Sequence, residues 1–251
     1  MQTKIRNWFL SALAVALFAI VGCNSQASSS APASPSASPT TTAAAPDPGV
    51  SASSPQTAGL PRLEGKATVV MTVKGSPITI DVDGTDAPVT AGNFVDLVER
   101  KVYDGLVFHR VVREPQPFVV QGGDPQGKNP NFPLEQLGTG GFTDPTTNQA
   151  RNIPLEIKPE KASDAIVYSK ILDSGAPKLK HTRGAVAMAR SAFPDSASSQ
   201  FYFALSDLQF LDGSYAVFGY VTQGMEVVDK IQQGDRIESA KVTKGLESLK
   251  K

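Results

Sequence analysis

Ala67, Val69, Met71 and Val73 recur at every second position and so share one face of an extended segment. Gly75-Ser76 interrupts the run. Ile78, Ile80 and Val82 then alternate with Thr79, Asp81 and Asp83. Two runs of period two joined by a short turn predict a β-hairpin. The period changes next. Phe94, Leu97 and Val98 stand at i, i+3 and i+4, behind Pro88, which suits a first helical turn, with Thr85 or Asp86 as the expected cap. That helix should cover one end of a sheet. Short apolar runs return at 106–112, 118–121, 184–189, 200–205, 216–221 and 237–242, and Val227, Val228 and Ile231 predict a second short helix. Eight short strands and two helices argue for a barrel or a sandwich, between which periodicity does not choose.

Two stretches break this pattern. Residues 1–23 carry Lys4 and Arg6, then an apolar run from Trp8 to Val21 that is short for a membrane span, then Gly22-Cys23. This is the layout of an export signal. Its ending, Ile20-Val21-Gly22-Cys23, resembles a bacterial lipobox, which makes Cys23 the expected site of lipidation and the new N-terminus. Membrane attachment through that lipid is expected on the periplasmic or cell-surface side. Residues 24–62 are nearly all Ser, Ala, Pro, Thr and Gly and read as a spacer, because such a segment buries too little apolar surface to offset its ordering entropy. Extended, it would reach on the order of 100 Å. Residues 63–251 form the expected folded domain.

Composition narrows the function. The 251-residue chain has 24 basic and 24 acidic residues. Lys4 and Arg6 are the only charges before Cys23, so the rest carries 22 against 24, a balance of −2. Nothing there favours nucleic acid. Cys23 is the sole cysteine and His109 and His181 the only histidines, so no disulfide within the chain, no metal site and no cofactor is expected. Gly138-Thr139-Gly140-Gly141 lacks the lysine of a phosphate loop and reads as a turn-rich loop. It lies in a long irregular region, 122–180, in which 162–172 is expected as a short helix or a hairpin arm. Ser199 and Ser214 lack the Gly-x-Ser-x-Gly setting of a nucleophile.

Three blocks carry a resemblance. They are Phe108-His109-Arg110-Val111-Val112 with Phe118-Val119-Val120-Gln121-Gly122-Gly123-Asp124; Gly184-Ala185-Val186-Ala187-Met188-Ala189-Arg190 leading to Ser199-Gln200-Phe201-Tyr202-Phe203; and Phe210-Leu211-Asp212-Gly213-Ser214-Tyr215-Ala216-Val217-Phe218-Gly219. In order and spacing they resemble the cyclophilins over roughly residues 65–245. The resemblance implies a mainly β fold, a closed eight-stranded antiparallel barrel capped by two α-helices. It also implies peptidyl-prolyl cis-trans isomerisation of Pro-containing polypeptides; nothing in the sequence demands more than a monomer. Carried over residue by residue, Arg110 and Gln121 are the expected catalytic pair. Phe118, Val119, Ala189, Tyr202, Phe210, Leu211 and Tyr215 are the expected substrate-binding residues.

The chain departs from the family at several points. Val119 replaces a common methionine, Tyr202 a phenylalanine, Phe210 a tryptophan and Tyr215 a histidine. The loop at 113–116 and the region from Gln121 to His181 are longer than usual. The tryptophan position is used by the inhibitor cyclosporin, so weakened inhibitor binding is expected. The alternative is a catalytically weak module that grips Pro-containing segments or a partner protein. His109 alternates with Arg110 on a strand and is expected to face the other way, as a structural residue. His181 is expected in a turn or hydrogen-bonding role.

Overall fold

The computed structural model describes residues 57–161 and 165–251. The expected signal, the lipidation site at Cys23 and most of the spacer lie outside the described residues. Eight strands form the main sheet: β1 (Lys66–Val73), β2 (Ser76–Asp83), β3 (Phe108–Val112), β4 (Val119–Gly122), β5 (Ala185–Met188), β6 (Phe201–Ala204), β7 (Val217–Gln223) and β8 (Ile237–Lys244). Their order is β8-β1-β2-β7-β5-β6-β4-β3, antiparallel throughout. Two helices accompany them, α1 (Pro88–Glu99) and α2 (Met225–Val228).

The expected hairpin is β1–β2, paired from Lys66↔Asp83 to Val73↔Ser76. Lys74 and Gly75 both take positive φ (50° and 71°). A two-residue turn with this sign at both positions matches the twist of the strands it joins. Ala67, Val69, Met71 and Val73 are all buried, as their alternation predicts. They line a core with an aromatic centre, in which Phe94 of α1 meets Phe218, Tyr103 and Phe201 at centroid separations of 4.8, 5.2 and 5.5 Å. Each such fully buried ring contributes roughly 1.5–3 kcal/mol in removal of apolar surface from water.

Two expectations need correction. The sheet is a curled half-barrel, not a closed barrel. Its edge strands β3 and β8 are staggered, so they overlap only where they begin. There, Val107 bridges Arg236 and the backbones of 105–108 and 234–237 exchange hydrogen bonds. Side chains take over where the ladder stops. Asp104 accepts from the Ala240 N–H (2.9 Å), and Arg236 donates to the Gly105 carbonyl (2.6 Å). Nor is α1 capped by Thr85 or Asp86. Its Val89 and Thr90 N–H groups donate to the two carboxylate oxygens of Glu156 (3.1 and 2.7 Å), far away in sequence. Those N–H groups have no partner inside the helix, so the buried carboxylate satisfies donors that nothing nearby reaches.

Glu156–Ile157 pairs with Val167–Tyr168, and the Tyr168 hydroxyl donates to Glu156 (3.0 Å). The segment expected as a helix or hairpin arm is therefore, at 167–168, a hairpin arm. Residues 57–62, placed by composition with the spacer, lie against the folded body. Thr57 and Pro61 are buried, and Arg62 pairs with Lys250.

Candidate active site

Strand register builds the site. Arg110 on β3 pairs with Gln121 on β4, Gln121 with Tyr202 on β6, and Tyr202 with Ala187 on β5. Directly opposed residues point to the same side of a sheet, so Arg110, Gln121 and Tyr202 form one rung on the face away from the core. A register shift between Phe108 and Arg110 accompanies the turnover from the buried Phe108 and His109 to the exposed Arg110.

On this face lies a cleft of ≈ 250 Å³ lined by Arg110, Phe118, Val119, Gln121, Ala189, Arg190, Tyr202, Leu211 and Tyr215. Eight of the nine residues expected from sequence meet here. The ninth, Phe210, stands on the rim. Its ring stacks on Phe118 (6.0 Å, 18°) while the side chain stays largely exposed. Tyr202 meets Tyr215 edge-on at 6.2 Å. Arg190 was not among the candidates. Its guanidinium lies 4.6 Å from the Tyr215 ring centroid and donates to the Ser214 carbonyl through Nε and Nη2 (3.0 and 2.7 Å), tying the 214–215 loop to the end of β5.

Arg110 is held from two sides. Its guanidinium carbon sits 5.4 Å from the Phe118 ring centroid, and Nη1 donates to Gln121 Oε1 (3.3 Å). Gln121 Nε2 donates to Gln200 Oε1 (3.1 Å), and Gln200 Nε2 to the Gly140 carbonyl (2.7 Å). The chain has one direction, from guanidinium to amide to amide to backbone. Each amide oxygen accepts from one neighbour while its nitrogen donates to the next. Gln200 was missed because its own signal, a polar residue beside a strand, is weak.

The loop that receives this chain is Gly138–Gly141, and Asp124 explains it. The buried carboxylate accepts from the N–H groups of Gln126 (2.9 Å), Gly138 (2.6 Å) and Gly140 (3.0 Å). These amides are occupied, consistent with a turn rather than a phosphate cradle. The loop walls a second, larger cavity of ≈ 490 Å³ that shares Gln121, Ala189 and Arg190 with the cleft. His109 is buried, and burial holds it below the ordinary histidine value although Asp124 opposes the shift.

An exposed guanidinium braced beside an apolar, aromatic-walled cleft on a curled antiparallel half-barrel defines a prolyl-isomerase architecture. The chain belongs to the cyclophilin-type peptidyl-prolyl cis-trans isomerase family, whose model matches residues 68–248. It is similar to a Synechocystis protein named as a thylakoid lumen peptidyl-prolyl cis-trans isomerase, with 43% identity over 206 residues covering 76% of this chain and 51% of that protein. It thus spans about half the length of that relative. Peptidyl-prolyl cis-trans isomerase A of Dickeya dadantii is 36% identical over 170 residues, covering 66% of this chain and 70% of that one. The crystal structure of a Cryptosporidium parvum cyclophilin-type isomerase shares the fold at a TM-score of 0.51 and 21% identity, covering 71% of this chain and 98% of that chain.

Proposed function

We propose that the protein catalyses rotation about X–Pro peptide bonds in exported polypeptides and is held at a membrane by lipid on Cys23. The observation that carries the first half is the braced Arg110 at the mouth of the apolar cleft. Rotation must overcome about 18–20 kcal/mol of amide resonance. It needs no nucleophile, only a surface that binds the twisted amide better than either planar form. In the twisted state the prolyl nitrogen regains its lone pair. Arg110, permanently charged and presenting several N–H donors, stabilises that lone pair. Because Gln121, Gln200 and Gly140 hold one side of the guanidinium, little reorganisation is required when the substrate twists. Phe118, Val119, Ala189, Tyr202, Leu211 and Tyr215 supply the apolar walls for the prolyl ring, and Phe210 extends them at the rim.

The second half rests on the sequence of the N-terminal segment. The name of the Synechocystis relative, which points to a compartment outside the cytoplasm, supports export. Assistance to the folding of exported proteins is the corresponding role.

The test is isomerisation of a short Pro-containing peptide by the purified protein beside Arg110→Ala. A loss of about 10²–10³ in kcat/KM is expected, the effect of deleting one preorganised donor. A folded Arg110→Ala protein of undiminished activity would remove Arg110 from catalysis. No acceleration by the parent protein, with Pro-peptide binding intact, would identify the chain as a binding module.

A further inference from the structure

Tyr202 forms one wall of the cleft, but its hydroxyl is engaged behind that wall. The hydroxyl oxygen lies 2.9 Å from His181 Nε2, and His181 Nδ1 lies 2.9 Å from Asp212 Oδ1. The same Asp212 oxygen accepts from the His181 backbone N–H (2.8 Å). The histidine side chain is fully buried and is not among the cleft's lining residues. Its ring runs nearly parallel to that of Tyr202 (15°, 6.1 Å).

A carboxylate only accepts, so Nδ1 carries a proton toward Asp212. In the neutral imidazole, Nε2 is then an acceptor, which makes the Tyr202 hydroxyl the donor. The groups around the pair come from several elements. Tyr215 lies beside Tyr202, with Arg190 over Tyr215. Lys180 is paired with Glu160, while the Tyr220 hydroxyl bonds both the Lys180 N–H and its carbonyl.

We propose that Asp212 and His181 are positioning residues for the proline cleft. They fix the Tyr202 hydroxyl as a donor directed away from the bound prolyl ring, and protonation of His181 reverses this bond. The proposal deepens the isomerase reading and rests on it. With His181 neutral, the cleft wall shows the substrate only the face of a pinned aromatic ring. With His181 protonated, Nε2–H donates to the phenol oxygen. The hydroxyl hydrogen must then turn away from the histidine, and a bound prolyl ring offers it no acceptor.

The phenol is not a nucleophile in this arrangement, since burial raises it well above the ordinary tyrosine value. Burial also keeps His181 below the ordinary histidine value, opposed by Asp212, so the pinned state is the one present at neutral pH. Tyrosine at this position differs from the family's usual phenylalanine, which could not make the bond.

The first measurement is the imidazole tautomer in the purified protein by ¹⁵N NMR, with His181→Gln used to assign the two histidines. An Nδ1–H tautomer for His181 at pH 7.5 is expected; an Nε2–H tautomer overturns the proposal. The second is the pH profile of kcat and KM in a protease-free assay. As pH falls through the His181 titration, KM should rise about three- to tenfold with kcat little changed, an effect of one hydrogen bond. Asp212→Asn keeps an acceptor oxygen but removes the charge, so the midpoint should move to lower pH. Tyr202→Phe should abolish the step. A step that persists in Tyr202→Phe, or a midpoint unmoved in folded Asp212→Asn, overturns the assignment. If Asp212→Asn fails to fold, the tautomer and Tyr202→Phe decide. If the parent protein has no isomerase activity at any pH, the isomerase reading fails separately, and Kd for a Pro peptide over the same pH range then reads the step.

Discussion

The brace behind Arg110 makes a quantitative prediction. Gln200 does not touch Arg110; it holds Gln121, which does. Gln200→Ala removes the acceptor for Gln121 Nε2 and the donor to the Gly140 carbonyl, both in a partly buried setting. The catalytic effect passes through one hydrogen bond in series. A bond of this kind is worth about 0.5–1.5 kcal/mol net, so kcat/KM should fall about 2- to 12-fold. Gln121→Ala removes the bond to the guanidinium itself and should cost more. The decisive quantity is the coupling. Once Gln121 is gone, Gln200 has nothing to position, so the double variant should match Gln121→Ala, with an interaction energy of about 0.5–1.5 kcal/mol of opposite sign to the single losses. The assay is the peptide isomerisation rate at several substrate concentrations, with unfolding in urea to show that each variant is folded. Additive losses, or a Gln200→Ala defect larger than that of Gln121→Ala, would refute the series arrangement.

Glu156→Ala should destabilise the protein by roughly 2–4 kcal/mol in urea unfolding, because it leaves two helix N–H groups and a phenol without their acceptor. Burial raises the Glu156 carboxyl above its ordinary value, so the folded state holds the proton more tightly than the unfolded chain. The parent's stability relative to Glu156→Gln should therefore be greatest at or below the ordinary glutamate range and decline as pH rises through the folded value; a difference that grows with pH would contradict this. Phe210→Trp should restore bulk at the exposed rim and tighten cyclosporin binding, measured by calorimetry, with unfolding changed by less than about 0.5 kcal/mol. Cys23→Ser should shift the protein from the membrane to the soluble fraction of an expressing bacterium and abolish metabolic labelling by palmitate.

What was legible in the sequence is what depends on local order. The alternation at 67–73 and 78–82 places the first hairpin because side-chain direction repeats every second residue, and the Phe94, Leu97 and Val98 stripe places α1 for the analogous reason. The cap of α1 was not legible. A Thr or Asp next to a helix is the usual partner for its free N–H groups, but here the acceptor is Glu156, which reads in sequence as one acidic residue in an irregular region. Barrel closure was not legible either: periodicity left barrel and sandwich open, and the closed barrel was what the family resemblance implied. Strand number is a property of segments, whereas closure depends on the stagger between the first and last edges, and Asp104 and Arg236 satisfy groups that another strand would otherwise pair.

The site divides along the same line. The motif blocks contain Arg110, Gln121 and Tyr202, and β pairing brings them to one rung. They also contain Asp124, Arg190, Gln200 and Asp212, whose tasks are invisible until the chain folds back, since each acts on a loop or side chain remote in sequence. Asp124 illustrates the cause. Its carboxylate collects three N–H groups, two of them from glycines 14 and 16 residues on, and so shapes the loop that receives Gln200. A fault in the Gly138–Gly141 loop should therefore reach Arg110 through Gln200 and Gln121. The long region 122–180, which lacks any sequence period, is thereby tied to Arg110 by a directional chain of hydrogen bonds and to the 211–215 loop by the Leu172 N–H, which donates to the Gly213 carbonyl (2.9 Å), while its contact with α1 through Glu156 serves stability. Perturbing Asp124 and perturbing Glu156 should accordingly separate, the first lowering kcat/KM and the second lowering the unfolding midpoint.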